Sequence, residues 1–283
     1  YGLIALVILK ESEAKNVPAA KGLILVAQAI NEQSETVRDP VKFKQTGHRM
    51  FNMQVHKKES AAIKAGTEKF AIPGIVSKVT SSIESTGVRK QEDAADSPFF
   101  EAPGSPAVMV RHFLDRLSAK SDHWLAKDDA QIQALMPKYK AAHTSLLDPS
   151  QGVAEYGARL KAAGYAKAEN YAEELKAKYK PVLQDFIAIV DATLKASKAT
   201  IDALPTQAEL EADLKYWIDA YARYGESIGK DPAQYPVNET NVDVIRKYID
   251  AKLEQLDQRL AYQKLEAVKK ELQDTLAKLN GTK

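Results

Sequence analysis

The chain has 283 residues, of which 45% are hydrophobic and 28% are charged. This balance is typical of folded proteins and excludes wholesale disorder. The 40 Lys and Arg residues nearly match the 38 Asp and Glu residues, and the net charge of +2 gives no global field that would attract nucleic acid. The lack of cysteine excludes a disulfide framework, a thiolate metal site and a cysteine nucleophile.

The first ten residues contain a dense apolar segment, residues 3–9, which ends at Lys10. It is far shorter than the roughly 20 apolar residues of a membrane helix, so we expect the protein to be peripheral to a membrane at most. Exposing this segment to water would be costly, and Leu3 and Leu6 are therefore predicted to contact a partner. The chain begins with Tyr1 and not with Met, which leaves import or secretion open.

Residues 18–35 are predicted to form a helix, because Pro18 suits a first turn and the apolar residues after it recur at helical spacing. Between residues 40 and 70, seven Lys and Arg stand against two Glu, a local charge of +5. This excess suits a solvated face, an anionic membrane surface or an acidic subunit. Residues 57–70 and 75–83 also fit helical spacing better than strand spacing.

Residues 88–105 are predicted to be a linker, because prolines, a glycine and an acidic cluster interrupt the helical patterns there. Within it, the paired aromatic residues Phe99 and Phe100 are predicted to anchor the linker to a neighbouring surface. The linker separates an N-terminal helical region, residues 1–87, from a C-terminal long-helix domain, residues 106–283.

Helical patterns follow the linker at residues 107–125, 128–147, 152–163, 168–204 and 210–224. Pro137 and Pro181 are expected to bend two of these helices. A loop at residues 227–238 then allows the last helix to turn back along an earlier one. The predicted fold is all-α and elongated, with a long antiparallel helical hairpin and a smaller N-terminal helical region.

Residues 241–279 carry the longest helical pattern in the chain. A side-chain oxygen of Thr240 or Asn241 is available to cap its start, and Gly281 offers the left-handed residue that closes a helix. Six apolar residues up to Leu260 share one face, but the large residues after it are displaced by more than a right angle around the helix. We therefore expect the two halves to contact different partners. The displaced residues Leu265, Val268, Leu272 and Leu276 are predicted to bind a partner subunit.

No pattern in the sequence points to catalysis, a cofactor or a metal. The five histidines lack the spacing of a zinc motif, and no Gly-rich phosphate-binding loop occurs. Ser121, Asp122 and His123 are triad residue types, but consecutive helical residues point in different directions and do not relay a proton. We therefore predict that the protein is not an enzyme and has no catalytic, cofactor-binding or metal-binding residues.

The C-terminal order of features resembles the d subunit of the mitochondrial ATP synthase peripheral stalk. The matching pieces are Ala203-Leu204-Pro205 at the end of a helix, Tyr216-Trp217 after it, Pro236-Val237 before a long charged helix, and Lys269-Lys270-Glu271-Leu272 within that helix. They span about residues 180–279. The resemblance implies a non-catalytic subunit on the matrix side of the inner membrane, which binds other subunits through helix packing and holds the catalytic head against rotation.

Two other classes of protein remain open at this point. One is a helical pore-forming or membrane-remodelling protein, in which residues 3–9 insert and the basic region meets lipid. The other is an enzyme whose site is assembled from distant residues. Liposome binding would favour the first class, and a metal or nucleotide bound to the purified protein would favour the second.

Overall fold

The structure, a computed structural model, describes residues 2–32, 41, 76–78, 99–101, 106–121, 124, 128–148, 150–166, 168–230 and 239–281. Eight α-helices are found in these ranges, and the predicted all-α fold is confirmed. The helices are α1 (Gly2–Ala14), α2 (Ala19–Asn31), α3 (Pro106–Leu117), α4 (Ala130–Thr144), α5 (Val153–Ala162), α6 (Tyr171–Asp202), α7 (Gln207–Lys230) and α8 (Glu239–Leu279). A 3-10 turn, Ser145–Leu147, follows α4.

The predicted helix at residues 75–83 is wrong where the structure describes it. Val76–Lys78 is a strand, β1, which pairs in antiparallel fashion with β2, Phe99–Glu101. Short runs rich in β-branched residues fit a helix and a strand equally well, and the pairing partner decides between them. Phe99 and Phe100 thus belong to a strand of this two-stranded ribbon. The predicted helix at residues 57–70 lies outside the described residues.

The chain divides into two compact units, residues Tyr1–Gln184 (unit 1) and Asp185–Lys283 (unit 2). The linker predicted at residues 88–105 falls within the range of unit 1. Most of it lies outside the described residues, so that boundary stays a prediction.

Helix α2 is the centre of unit 1. Its sequence is apolar on every side, and a helix of this kind must be buried all round. Residues 22–29 are all buried. Helix α1 packs against α2 and α3, and its residues Ile4 and Ile8 are buried, at 4% and 0% exposed. Helix α6 runs antiparallel to α2, because the Tyr179 hydroxyl donates to the Ala20 carbonyl at 2.7 Å while Tyr171 lies beside Glu32.

Helices α4 and α5 complete unit 1. Asp129 caps α4 by accepting from the backbone N–H groups of Gln131 and Ile132, at 2.9 and 3.3 Å. Helix α5 approaches the start of α6 so closely that a Cβ atom at position 157 would lie 2.8 Å from the Cα of Ala172. Gly157 is therefore required for this contact.

Unit 2 consists of the end of α6, all of α7 and all of α8. Thr206 and Glu209 form a reciprocal capping box at the start of α7, with Thr206 N–H to Glu209 Oε2 at 2.7 Å and Glu209 N–H to Thr206 Oγ1 at 3.3 Å. Helix α7 continues through Gly225 to Lys230, beyond its predicted end at residue 224. Helix α8 matches the predicted helix closely, and Gly281 closes it with φ +75°. It begins at Glu239, so Thr240 and Asn241 lie inside its first turn.

Helix α8 runs antiparallel to α7 and to the end of α6. Tyr248 contacts Trp217 with their rings 4.8 Å apart, and Lys252 pairs with Asp213 at 2.8 Å. Further along, Arg259 contacts the turn after α6, and Lys269 pairs with Asp191 of α6. The partner residue number falls as the residue number in α8 rises. Helix α8 thus changes its neighbour within the chain from α7 to α6 at about the point where its apolar face turns.

Candidate partner-binding surface

The first half of α8 leaves much of its apolar face uncovered. Leu253 and Leu260 are 43% and 42% exposed, although both belong to the apolar row that the sequence shows before residue 260. Helix α7 covers a neighbouring strip of α8 through Tyr248, Lys252 and the aromatic contact with Trp217. Val244, at 59% exposed, adds a further large apolar side chain to this half of the helix. Exposed apolar rows of this kind are typical of surfaces that bind other proteins.

The outer sides of α6 and α7 also expose large apolar residues within unit 2. Ile189 of α6 is 57% exposed, and Tyr216, Ile218 and Tyr221 of α7 are 61%, 51% and 42% exposed. Single exposed apolar residues are ordinary on a protein surface. In unit 2, by contrast, large exposed apolar residues are not isolated but occur on each of the three helices.

The second half of α8 is covered more fully by the chain itself. Leu272 is 1% exposed, and Leu265, Val268 and Leu276 are half-buried. Of the four residues predicted here to bind a partner subunit, Leu272 therefore lies in the core of unit 2. The sequence pattern showed two apolar faces on α8, but it did not show which one the chain covers. Leu253 and Leu260 were missed as surface residues for this reason.

The remaining predicted partner-binding residues lie in unit 1. Leu6 is 64% exposed on α1, on the side opposite to the buried Ile4 and Ile8. Leu3 belongs to α1, and Phe99 and Phe100 belong to β2. Each stands on a different element from the exposed rows of α8.

One guanidinium group links α8 to the end of α6 and to the turn that leads into α7. Arg259 of α8 donates from Nη2 to the carbonyl oxygens of Ile201 and Leu204, at 3.2 and 2.6 Å, and from Nε to the carbonyl of Pro205. Ile201 lies in the last turn of α6, and Leu204 and Pro205 lie in the turn after it. The last carbonyl groups of a helix lack a full set of partners within the helix, although the Ile201 carbonyl also accepts from the Leu204 N–H at 3.1 Å. A cation at this end of a helix also interacts favourably with the helix dipole. Arg259 therefore fixes the turn between α6 and α7 against α8.

Unit 1 holds a buried polar cluster, made of Gln28, Glu32, Tyr156, Tyr165 and Tyr171. The Tyr156 hydroxyl donates to Gln28 Oε1 at 2.8 Å, and the Tyr171 hydroxyl donates to Glu32 Oε1 at 3.0 Å. Burial raises the pKa of Glu32 to about 7, the hydrogen bond from Tyr171 opposes this shift, and the charge of Glu174 adds to it. Burial also raises the pKa of Tyr156, Tyr165 and Tyr171, so these hydroxyls stay protonated.

The chemistry of this cluster is that of a proton-binding carboxyl group. Perturbed carboxyl groups occur in catalytic sites and in structural networks alike. Gln28 is fully buried and lies close enough to Tyr165 and Tyr171 to oppose the rise in their pKa, although within the described residues its Nε2 atom makes no hydrogen bond of normal geometry. Gln28 is the only polar residue in the apolar run at 22–30, and this isolated polar position is the sequence signal for the cluster.

The aromatic residues extend from this cluster to α3. The rings of Trp124, Tyr139, Tyr165 and Tyr171 follow one another with centroids about 6 Å apart, and the Arg116 guanidinium lies 4.2 Å from the centre of the Trp124 ring. Such contacts are worth about 0.5–1.5 kcal/mol each beyond their buried area. They hold α4 and the α5–α6 connection together.

His143 is a half-buried histidine in the last turn of α4. Burial lowers its pKa to about 4, the charge of Lys15 adds to this effect, and that of Asp115 opposes it. The imidazole is therefore neutral at pH 7. Among the described residues, no group of three His, Cys, Asp or Glu is placed to hold a metal ion. Within the same ranges, no helix combines the length and the apolar composition needed to cross a bilayer.

In comparisons with known proteins, no family model matches this chain, and neither a curated protein nor a solved structure matches it.

Proposed function

We propose that this protein is a non-catalytic structural subunit of a larger assembly, and that the exposed apolar rows of unit 2 pack against helices of partner subunits. The observation that carries the proposal is the uncovered face of α8, on which Leu253 and Leu260 remain more than 40% exposed in a helix of 41 residues. Burying one leucine side chain contributes about 1.5–3 kcal/mol. A row of such residues therefore supports stable helix–helix contact.

The finer proposal is that the assembly is a mitochondrial ATP synthase, with this chain in its peripheral stalk on the matrix side of the inner membrane. Its support is the resemblance in residues 180–279, whose described pieces lie in the turn after α6, in α7 and in α8. A stalk transmits torque through helices packed over a large area. An apolar face that changes neighbour along one long helix suits that task.

The test uses two variants of the tagged full chain, produced in the source organism. The first carries Leu253→Lys and Leu260→Lys. The matched control carries Gln273→Lys and Ala277→Lys, two exposed positions on the same helix that receive the same added charge. Native gels and mass spectrometry of mild-detergent extracts then report how much of each chain enters an assembly.

We expect the wild type and the control to enter an assembly that contains ATP synthase subunits, and the leucine variant to enter it at least about tenfold less, since 1.4 kcal/mol changes an equilibrium tenfold. An assembly without those subunits would overturn the finer proposal only. A wild-type chain that migrates as a lone monomer would overturn the structural-subunit proposal. Binding of that monomer to liposomes would favour the membrane-remodelling class in its place.

A further inference from the structure

A groove of about 490 Å³ lies between the end of α6 and the middle of α8, within unit 2. Small residues form much of its wall: Ala196, Ser197 and Thr200 of α6, and Ala261 of α8. Leu194, Ile201, Tyr262 and Leu265 contribute its larger apolar surfaces. Small residues allow the backbone of another helix to approach closely.

The groove continues along α8 as a shallow depression lined by acidic residues. Asp250, Glu254 and Asp257 line this part together with Leu253, and it shares Gln258 and Ala261 with the apolar groove. The spacing of the three carboxylates, four and then three residues, places them on one face of the helix. From residue 250 to residue 265 the combined surface spans roughly 22 Å, at 1.5 Å per residue. This length matches about four turns of a second helix.

The two ends of this surface differ in how their charges are compensated. At the apolar end, Lys195 pairs with Asp191 at 2.8 Å and Lys198 pairs with Asp202 at 3.0 Å. At the acidic end, Asp250, Glu254 and Asp257 are all exposed. Within the described ranges, none of these three carboxylates has an ion-pair partner. The acidic end therefore presents negative charge that a partner can compensate.

We infer that this surface, residues 250–265 of α8 with the facing side of α6, holds one amphipathic helix of a partner subunit, which places Lys or Arg against the three carboxylates and small or branched apolar residues in the groove. The inference rests on the proposed function and specifies the partner's chemistry. Charge complementarity favours a basic helix over an acidic one, and it determines the position of the helix along the groove. Leu253, one of the two exposed leucines of the proposed function, lines the acidic part of this surface, so the inferred helix covers part of the same exposed face of α8.

The test measures peptide binding to the full chain by fluorescence anisotropy. The basic probes are two synthetic 18-residue helical peptides with one Leu/Ala stripe and three lysines, placed in the N-terminal half of one peptide and in the C-terminal half of the other. The acidic probes have glutamate in place of lysine. One protein variant carries Asp250→Lys, Glu254→Lys and Asp257→Lys. The matched control carries Asp185→Lys, Asp219→Lys and Asp274→Lys, three exposed carboxylates outside the groove.

We expect one basic probe to bind the wild type at least tenfold more tightly than its acidic counterpart, and to bind more weakly as salt is raised. The groove variant should prefer the acidic probe, and the control should behave as the wild type does. A variant with Ala261→Trp, which fills the groove, should weaken binding of the basic probe at least tenfold. Hydrogen exchange in α8 shows whether each variant remains folded.

Equal binding of basic and acidic probes, or equal loss in the groove and control variants, would overturn the inference. So would a wild-type dimer that Ala261→Trp dissociates, because the occupant would then be a second copy of the chain. These failures are distinct from a failure of the proposed function, which is read from entry into an assembly in the source organism. A chain that enters the assembly but fails the peptide test loses this inference alone.

Discussion

Unit 1 and unit 2 are both built from helices, but they bury their apolar residues to very different degrees. In unit 1, α2 is surrounded by the chain, and the core includes Ile8, Leu160 and Leu175, each 0% exposed. In unit 2, Leu210 and Leu272 are fully buried while Leu253 and Leu260 remain more than 40% exposed. The difference indicates that unit 1 encloses a core of its own, whereas unit 2 leaves large apolar side chains exposed, and the proposed function assigns these to partner contacts.

The largest effect on stability is expected from a leucine in the core of unit 1, and it is compared with the effect of an exposed leucine in unit 2. Leu160→Ala removes a side chain from a close-packed core, and we expect the opening free energy of α5 to fall by about 3–5 kcal/mol. Leu260→Ala removes an exposed side chain, and we expect a change within about 0.5 kcal/mol in the isolated chain. Hydrogen exchange of peptides from α5 and α8 measures both values in the full chain. Similar losses at the two sites would contradict the contrast between the units.

A second prediction concerns Glu32 and the pH dependence of unit 1. Its pKa is raised from 4.5 to about 7 in the folded chain, so protonation stabilises the fold. The stabilisation is fully present below pH 4.5 and is lost as the pH rises to 7 and above, by on the order of 1–3 kcal/mol. Glu32→Gln should therefore stabilise α2 and α6 at pH 8 and remove most of this dependence.

Hydrogen exchange of peptides from α2 and the first half of α6, compared between pH 5 and pH 8 after correction for the intrinsic exchange rate, measures the effect of Glu32. Glu174→Gln is the control, because the charge of this exposed neighbour accounts for only a part of the rise in the pKa of Glu32. An unchanged pH dependence in Glu32→Gln would show that another group controls it.

A third prediction tests how unit 2 holds its helices together without a large core. Arg259→Ala removes the donor to one carbonyl group at the end of α6 and two in the turn after it, and we expect the change to destabilise this turn by about 1–3 kcal/mol. Arg259→Lys should recover only part of this, because an ammonium group lacks the planar fork of donors. Arg246→Ala, on an exposed side of the same helix, should change stability by less than about 0.5 kcal/mol. Equal effects at 246 and 259 would rule out a special role for Arg259.

The sequence was sufficient to predict the elements that local rules control. Helix α8 was predicted almost residue for residue at its C-terminal end, because Gly281 closes it and apolar spacing extends to residue 279. The same rules failed at β1, since three residues acquire strand structure only by pairing with β2, which lies more than 20 residues away. Local pattern does not contain that information.

The candidate surface was harder to predict than the fold. The sequence shows two apolar faces on α8. Which face is covered depends on contacts with α7 and α6, and these join residues at least 31 positions apart, as Trp217 and Tyr248 do (248 − 217 = 31). Arg259 illustrates the difficulty. From the sequence, a charged arginine in a helix is expected to be exposed to solvent, and its hydrogen bonds to backbone carbonyl groups form only because the fold places the end of α6 beside it. The turn of the apolar face was visible in the sequence, whereas the identity of its two neighbours, α7 and then α6, required the structure.

The smallest expected effect concerns Asp191, whose pH dependence has the opposite sign to that of Glu32. Hydrogen bonds from Lys195 and Lys269 lower the pKa of Asp191 to about 2. The contribution of the ionised Asp191 to the stability of unit 2 is therefore present above pH 3.8, its ordinary pKa, and is lost as the pH falls towards 2. Asp191→Asn should reduce the acid sensitivity of the contact between α6 and α8, and Asp185→Asn should leave it unchanged. Hydrogen exchange of peptides from α8 between pH 5 and pH 2.5 measures this effect. If acid stabilises unit 2 as it does unit 1, the ion pairs of Asp191 do not support the packing of α8 on α6. The apolar contacts around Leu272 must then hold these two helices together alone.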